Sequence, residues 1–94
     1  MIIFNFVFSK KHKIRFMKAL ILTPEQTLFD GDAHLVQLPG LTGSFEILDN
    51  HAPIIAALTA GKIRVVTKQG EELSFDINSG FVEARENTVN ILVE

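Results

Sequence analysis

The apolar positions of this chain fall into short runs, each closed by a turn signal. Runs at residues 19–23, 26–30, 34–38, 44–48, 54–58, 62–67, 72–78, 81–85 and 88–93 alternate with Thr23-Pro24, Asp30-Gly31-Asp32, Pro39-Gly40, Asp49-Asn50, Ala60-Gly61, Gln69-Gly70, Ser79-Gly80 and Glu86-Asn87. Many short strands with regularly spaced turns predict an all-β sandwich or barrel. Leu73, Phe75 and Ile77 alternate with Ser74, Asp76 and Asn78, a period of two with one face buried. Val89, Ile91 and Val93 do the same against Asn90 and Glu94. Residues 62–67 predict a hairpin partner that turns through Gln69-Gly70 into Glu71. The run Ile54-Ile55-Ala56-Ala57-Leu58 has the composition of a helical turn, but Pro53 and Gly61 bracket it too closely for a helix. Leu92 breaks the alternation by sharing a face with Asn90 and Glu94. A lone surface leucine needs no explanation; the sharper reading is a partner contact on the outer face of a sheet.

Composition narrows the class. The 94 residues fit one domain, 47% hydrophobic and 21% charged. A domain of this size buries only about 60% of the surface its unfolded chain exposes, so its core is modest. There is no cysteine, hence no disulfide framework and no cysteine zinc site. The net charge of −2 hides an asymmetry: residues 1–17 carry Lys10, Lys11, Lys13 and Arg15, for +4, while residues 18–94 carry −6. An acidic body without a basic stripe lacks what a nucleic-acid binder needs to displace phosphate counterions.

Residues 1–17 differ in kind from the rest. Their apolar run, residues 1–8, is far short of the roughly 20 residues that span a bilayer. A signal peptide places its basic residues first, and here the apolar part comes first. Three readings remain: an added edge strand, a membrane-surface tether of Phe with Lys/Arg, or sequence upstream of a true start at Met17. The third is favoured, because the patterned chain begins directly after Met17. The expected organisation is therefore an extension over residues 1–17, foreign to the native protein, and a β-sandwich domain over residues 18–94.

Catalytic chemistry finds little footing. Asp30-Gly31-Asp32-Ala33-His34 offers oxygen and nitrogen ligands, but Asp-Gly-Asp is first a tight-turn sequence, and no second ligand pair of recognisable spacing follows. Ser44, Ser74 and Ser79 lie in no nucleophile elbow. Gly40-Leu41-Thr42-Gly43 has neither the spacing nor the lysine of a phosphate loop. His51, ahead of Ala52-Pro53, reads as a hydrogen-bonding strut in a turn. The turn-rich stretch LPGLTGSFEILDNHAP, residues 38–53, is better suited to touching than to catalysis. In it Phe45, Ile47 and Leu48 either tuck into the core or partly face a partner. A free-standing sandwich module for peptide or carbohydrate is the alternative reading, although such modules usually present an aromatic platform and the chain has no Trp or Tyr.

Three ordered blocks, LPGLTGSFEILDNHAP, ALTAGKIRV and SGFVEARENTVNILVE, preceded by ILTPEQTLFDGDA, resemble the epsilon subunit of the F-type ATP synthase. The resemblance covers residues 18–94. It implies a ten-stranded β-sandwich of two sheets at the foot of the central stalk. One side would pack on the gamma subunit, and the loop over residues 40–51 would approach the polar loops of the membrane rotor, the c-ring. Such a subunit turns with the stalk and links ring rotation to ATP synthesis. It holds no catalytic residue, cofactor or metal, and binds no nucleic acid or small-molecule substrate. Its place would be the cytoplasmic face of the bacterial inner membrane, peripheral, within the complex.

Carried over residue by residue, Gly40, Thr42, Gly43, Ser44, Glu46 and His51 become the ring contact and Leu92 the contact with gamma. Two departures stand out. Many members have an acid where this chain has Ser44 and a glycine where it has Glu46, so Glu46 is expected to take over the acidic role one strand-step away. Most members also continue into a two-helix hairpin that restrains hydrolysis, whereas this chain ends at Glu94 and is expected to lack that arm. Torque transfer needs a stiff body; Leu20, Leu22, Val36, Ile63, Val65, Leu73, Phe75, Ile77, Phe81, Val89 and Ile91 are its expected core. Phe75→Ala, if Phe75 is buried, is expected to cost about 3–5 kcal/mol.

The intact mass of the native protein checks the favoured start. A chain beginning at Met17 is expected, and a mass that includes residues 1–16 overturns it.

Overall fold

A computed structural model describes residues 16–94; the readings of residues 1–15 as strand, tether or upstream sequence lie outside the described residues. Eight strands and no helix follow one another there: β1 Met17–Leu22, β2 Thr27–Gly40, β3 Gly43–Leu48, β4 Ile54–Leu58, β5 Gly61–Thr67, β6 Glu72–Ile77, β7 Gly80–Arg85 and β8 Thr88–Val93. The first strand opens at Met17 itself, whose side chain is buried. The stretch 54–58 is a strand, consistent with its brackets Pro53 and Gly61.

The architecture is all-β as expected, with eight strands instead of ten. Two of the runs in the sequence are one strand, because Asp30-Gly31-Asp32 does not turn. These residues lie in β2 opposite Leu20, Ala19 and Lys18 of β1. Gly31 serves packing here: a Cβ on it would stand 3.2 Å from the Phe29 ring, which packs on the core and tilts against Phe75 at 6.4 Å.

β2 is the strand that both layers share. Its first half pairs with β1, its second half with β3 on the same edge, and β5 takes the opposite edge from Ala33 to Gln37. One layer is β3-β2-β5-β6. The other is β4-β7-β8-β1, closed back onto β2 by β1. All pairings are antiparallel except β1 with β8. The β7–β8 hairpin turns on Glu86 (φ 51°) and Asn87 (φ 59°). Two central residues at positive φ match the twist of the flanking strands, which is why two residues suffice. Asn87 then stitches its surroundings: its Nδ2 donates to the Phe16 carbonyl at 3.0 Å, and its Oδ1 accepts the Asn50 N–H at 2.7 Å.

The core gathers Met17, Ala19 and Ile21 of β1 with Val36, Leu38, Ile47, Leu58, Ile63, Val65, Ile77, Val82, Ala84, Val89, Ile91 and Val93. Val36, Ile63, Val65, Ile77, Val89 and Ile91 lie where the alternation puts them. Leu73 and Phe75 are half-buried against that core. Three expected core residues are not in it. Leu20 and Leu22 belong to the opposite face of β1, because both faces of Met17–Leu22 carry apolar residues and pairing with β8 selects Ala19 and Ile21 for the inside. Phe81 is 47% exposed, in phase with Glu83 and Arg85, while Val82 and Ala84 point inward.

Ile63→Ala is therefore expected to cost about 2–5 kcal/mol. Phe81→Ala should stay within about 1 kcal/mol of the parent, and Phe75→Ala should fall below the cost of a fully buried site. Denaturant unfolding of the three variants checks this order.

Candidate functional site

The residues nominated for the ring contact do not form one loop. Six of the twelve residues between 40 and 51 are strand β3, and Gly40 closes β2, so the segment is a hairpin with a two-residue tip, Leu41-Thr42. Gly43 follows at φ 134°, a conformation that glycine adopts without steric cost. Leu41 is 67% exposed, and Thr42, Gly43 and Ser44 are exposed beside it. Gly40 is buried. His51 lies past the far end of β3, a strand of six residues spanning roughly 17 Å. The geometry therefore separates His51 from the tip. Its Nδ1 sits 2.6 Å from the Ala52 carbonyl oxygen and its N–H donates to Leu48 O at 3.2 Å, a strut in the β3–β4 turn. Of the apolar residues in this stretch, Ile47 is buried, Phe45 is half-buried and Leu48 is exposed.

Ser44 and Glu46 are two residues apart on β3 and share its outer face, so an acid at 46 faces the same side as one at 44 would. Glu46 stands opposite Gln37, and Gln37 stands opposite Arg64 of β5. Arg64 Nε donates to Gln37 Oε1 at 3.0 Å, Gln37 Nε2 donates to Ser44 Oγ at 3.3 Å, and Arg64 Nη2 lies 3.9 Å from Glu46 Oε2. Arg64 Nη1 also donates to Glu72 Oε2, and Lys62 Nζ pairs with Asp76 Oδ1 at 2.8 Å. This outer face is thus tied together by polar groups from β3, β2, β5 and β6, with charges largely matched within the chain.

The other outer face carries an apolar row at one end. Ala57 of β4 is opposite Phe81 of β7, Phe81 is opposite Leu92 of β8, and Leu92 is opposite Leu22 of β1. The next row reads Ile55, Glu83, Asn90 and Leu20. Leu92 is 54% exposed and Ile55 67%. Opposed residues share a face and touch, so Ala57, Phe81, Leu92 and Leu22 make one apolar band across four strands. A cleft of about 480 Å³ opens beside it, lined by Leu22, Pro24, Phe81 and Leu92 among others. Leu92 was legible as an anomaly of its strand. Phe81 and Leu22 were missed as surface residues, although Glu83 and Arg85 in phase with Phe81 carried the signal.

Among the described residues no group of three or more His, Asp or Glu side chains could hold a metal ion. His34 Nε2 is 3.0 Å from the Lys68 carbonyl oxygen, and its ring meets that of Phe16 edge-on at 6.4 Å.

The family described as "ATP synthase, Delta/Epsilon chain, beta-sandwich domain" matches residues 16–94. Over 74 residues, 79% of the chain, it is 42% identical to the ATP synthase epsilon chain of Chlorobium limicola, covering 84% of that protein. It is 39% identical over 74 residues to the epsilon chain of Protochlamydia amoebophila, covering 50% of it. The chain thus spans between half and five-sixths of these relatives. In fold it is similar to a chain of the Euglena gracilis mitochondrial ATP synthase (OSCP/F1/c-ring, rotational state 1), with TM-score 0.79, 15% identity, and 84% of this chain and 51% of that one covered. A chain of the Tetrahymena thermophila mitochondrial ATP synthase central stalk and c-ring matches with TM-score 0.69, 21% identity, and 82% and 62% covered.

The polar face sits in water, so its ion pairs should contribute little. A double-mutant cycle on Arg64 and Glu72 is expected to give a coupling of about 1 kcal/mol or less, weakening with added salt.

Proposed function

The chain belongs to the delta/epsilon-chain β-sandwich family of ATP synthase, and on that premise we propose that it is a stalk subunit coupling rotation of the c-ring to ATP synthesis. The apolar band on β4-β7-β8-β1 packs on gamma, and the β2–β3 tip meets the c-ring. The subunit carries no catalytic residue and sits at the cytoplasmic face of a bacterial membrane, peripheral, held there by its complex. The observation that carries this reading is the difference between the two outer faces. One row, Ala57-Phe81-Leu92-Leu22, crosses four strands without a polar residue, while the other face satisfies its charges within the chain.

The physical logic is that of a stiff coupling piece. A close-packed interior resists deformation, and apolar band and exposed tip supply two separate adhesive surfaces. Leu92 keeps its assigned role and gains Phe81 and Leu22 as neighbours. Thr42, Gly43 and Ser44 stand at the tip with Leu41. Glu46 is set back along β3 and braced toward Arg64, and His51 lies beyond the strand's far end; both support the hairpin from behind. A free-standing peptide- or carbohydrate-binding module is set aside, since the family match runs through the whole described body.

Phe81→Glu and Leu92→Glu should each leave the isolated chain folded and weaken its hold on gamma tenfold or more, about 1.4 kcal/mol per factor of ten. Co-purification of gamma from native membranes reads this, and retention of gamma by both variants would contradict the assignment. Glu46→Lys places a like charge beside Arg64 and should alter coupled ATP synthesis without unfolding the domain; unchanged synthesis would remove Glu46 from the ring-facing hairpin's function.

A further inference from the structure

Among the described residues three strands keep an open edge: β3 and β6 at the sides of one layer, and β4 at the side of the other. An open edge offers unpaired backbone groups to another strand, and charged side chains are a usual guard against it. β6 carries Glu72 and Asp76, both ion-paired, and β3 carries Glu46. β4 is Ile54-Ile55-Ala56-Ala57-Leu58, without a polar side chain. Its open edge has a local cause. Pairing with β2 ends at Gly40 and Leu58, because β2 turns away into β3 through Leu41-Thr42. The Thr59 N–H donates to the Pro39 carbonyl at 2.8 Å and the Leu41 N–H to the Ala57 carbonyl at 3.4 Å, so Thr59 and Ala57 aim these backbone groups at β2. Backbone direction alternates along an antiparallel strand. Ile55 therefore aims its N–H and C=O to the same side, past the end of β2, while Ile54 and Ala56 aim theirs at β7. A cleft of about 460 Å³ lies there, with Gly40, Ser44 and Phe45 on one side and Ile54, Ala56 and Ala57 on the other. Phe45, Ile54 and Ala56 pack on the core yet are only half-buried, so the sandwich is left open along this seam.

We propose that the open edge of β4 is a strand-addition site, filled by an extended segment of gamma. This rests on the reading that gamma packs on the outer face of β4-β7-β8-β1. Continuity with that face selects the occupant: Ala57 stands in the apolar row and Ile55, 67% exposed, stands in the row beside it. A strand laid along β4 widens the same layer. Its backbone pairs with Ile55, and every second side chain points inward over Phe45, Ile54 and Ala56. The segment that fits is extended and apolar at its inward positions, since a charge there would be set against the edge of the core. The apolar row then supplies adhesion, and the main-chain bonds fix the register in which gamma is held.

The test is amide exchange on the complex of this chain with gamma, with the chain alone as reference. The Ile55 amide is expected to exchange about tenfold or more slowly in the complex, while the Ala56 amide, turned to β7, is protected in both. Ile55→Pro removes the N–H at an edge position, where proline is tolerated. It should weaken gamma binding about tenfold beyond Ile55→Ala, which also loses the side chain but keeps the N–H. An Ile55 amide that stays unprotected in the gamma complex overturns the strand addition and leaves the gamma-facing role standing, as does equal binding by the two variants. Protection already present in the chain alone also overturns it: protection that grows with concentration gives the edge to a second copy, and protection that does not gives it to residues outside 16–94. If the unmodified chain itself fails to hold gamma, the functional reading falls instead.

Discussion

Everything in this fold depends on one strand being paired along both edges. β2 runs fourteen residues, far longer than its neighbours, and belongs to both layers. It can do so because its phase changes midway. In the β2–β5 pairing Ala33 faces Thr67 and Leu35 faces Val66, so His34 is the extra residue of a bulge. Buried positions move accordingly, from Ala33 to Val36, Leu38 and Gly40. A bulge re-aims side chains and increases local twist, which lets a single strand offer its inside to one layer and then to the other. The imidazole of His34 closes the irregularity by reaching the Lys68 carbonyl.

From that shared strand follows a body with two unlike outsides. Strands β4, β7, β8 and β1 turn an apolar band outward, while β3, β2, β5 and β6 turn outward the chain linking Ser44, Gln37, Arg64, Glu46 and Glu72. An apolar band loses water when covered by a partner, and that is favourable over its whole area. A matched polar network is already satisfied and gains little from being covered. The proposed coupling role would use this asymmetry: an apolar band that gains from cover, a polar network that does not need it, and a tip apart from both. The small core is adequate because its members interlock across both layers, from Met17 of β1 to Ile47 of β3 and Ile77 of β6.

Much of this was legible in the linear chain, for identifiable reasons. Where polar and apolar residues alternate cleanly, as in Glu72–Ile77 and Thr88–Val93, the phase is fixed by solvation alone and the inside face is read correctly. The Glu86-Asn87 and Gln69-Gly70 turns were equally plain. Alternation failed where nothing polar sets the phase. In Met17–Leu22 either face is oily enough to be buried, and only hydrogen bonding to β2 and β8 chooses between them. Bulk misled at Phe81, where the charged neighbours in its own phase mattered more than the size of the ring.

The sequence by itself determined that the chain is all-β, where most strands turn, and, through its ordered blocks, the family. Local propensity and period two decide such things within a few residues. Only the tertiary structure decided that Asp30-Gly31-Asp32 stays extended, that Leu22, Phe81 and Leu92 meet on one surface, that Ser44 and Glu46 share a face while His51 stands apart, and that the end of β2 pairs with β4 at Gly40. Those outcomes depend on pairing between residues far apart in the chain, and no local pattern specifies which distant strand will occupy an edge.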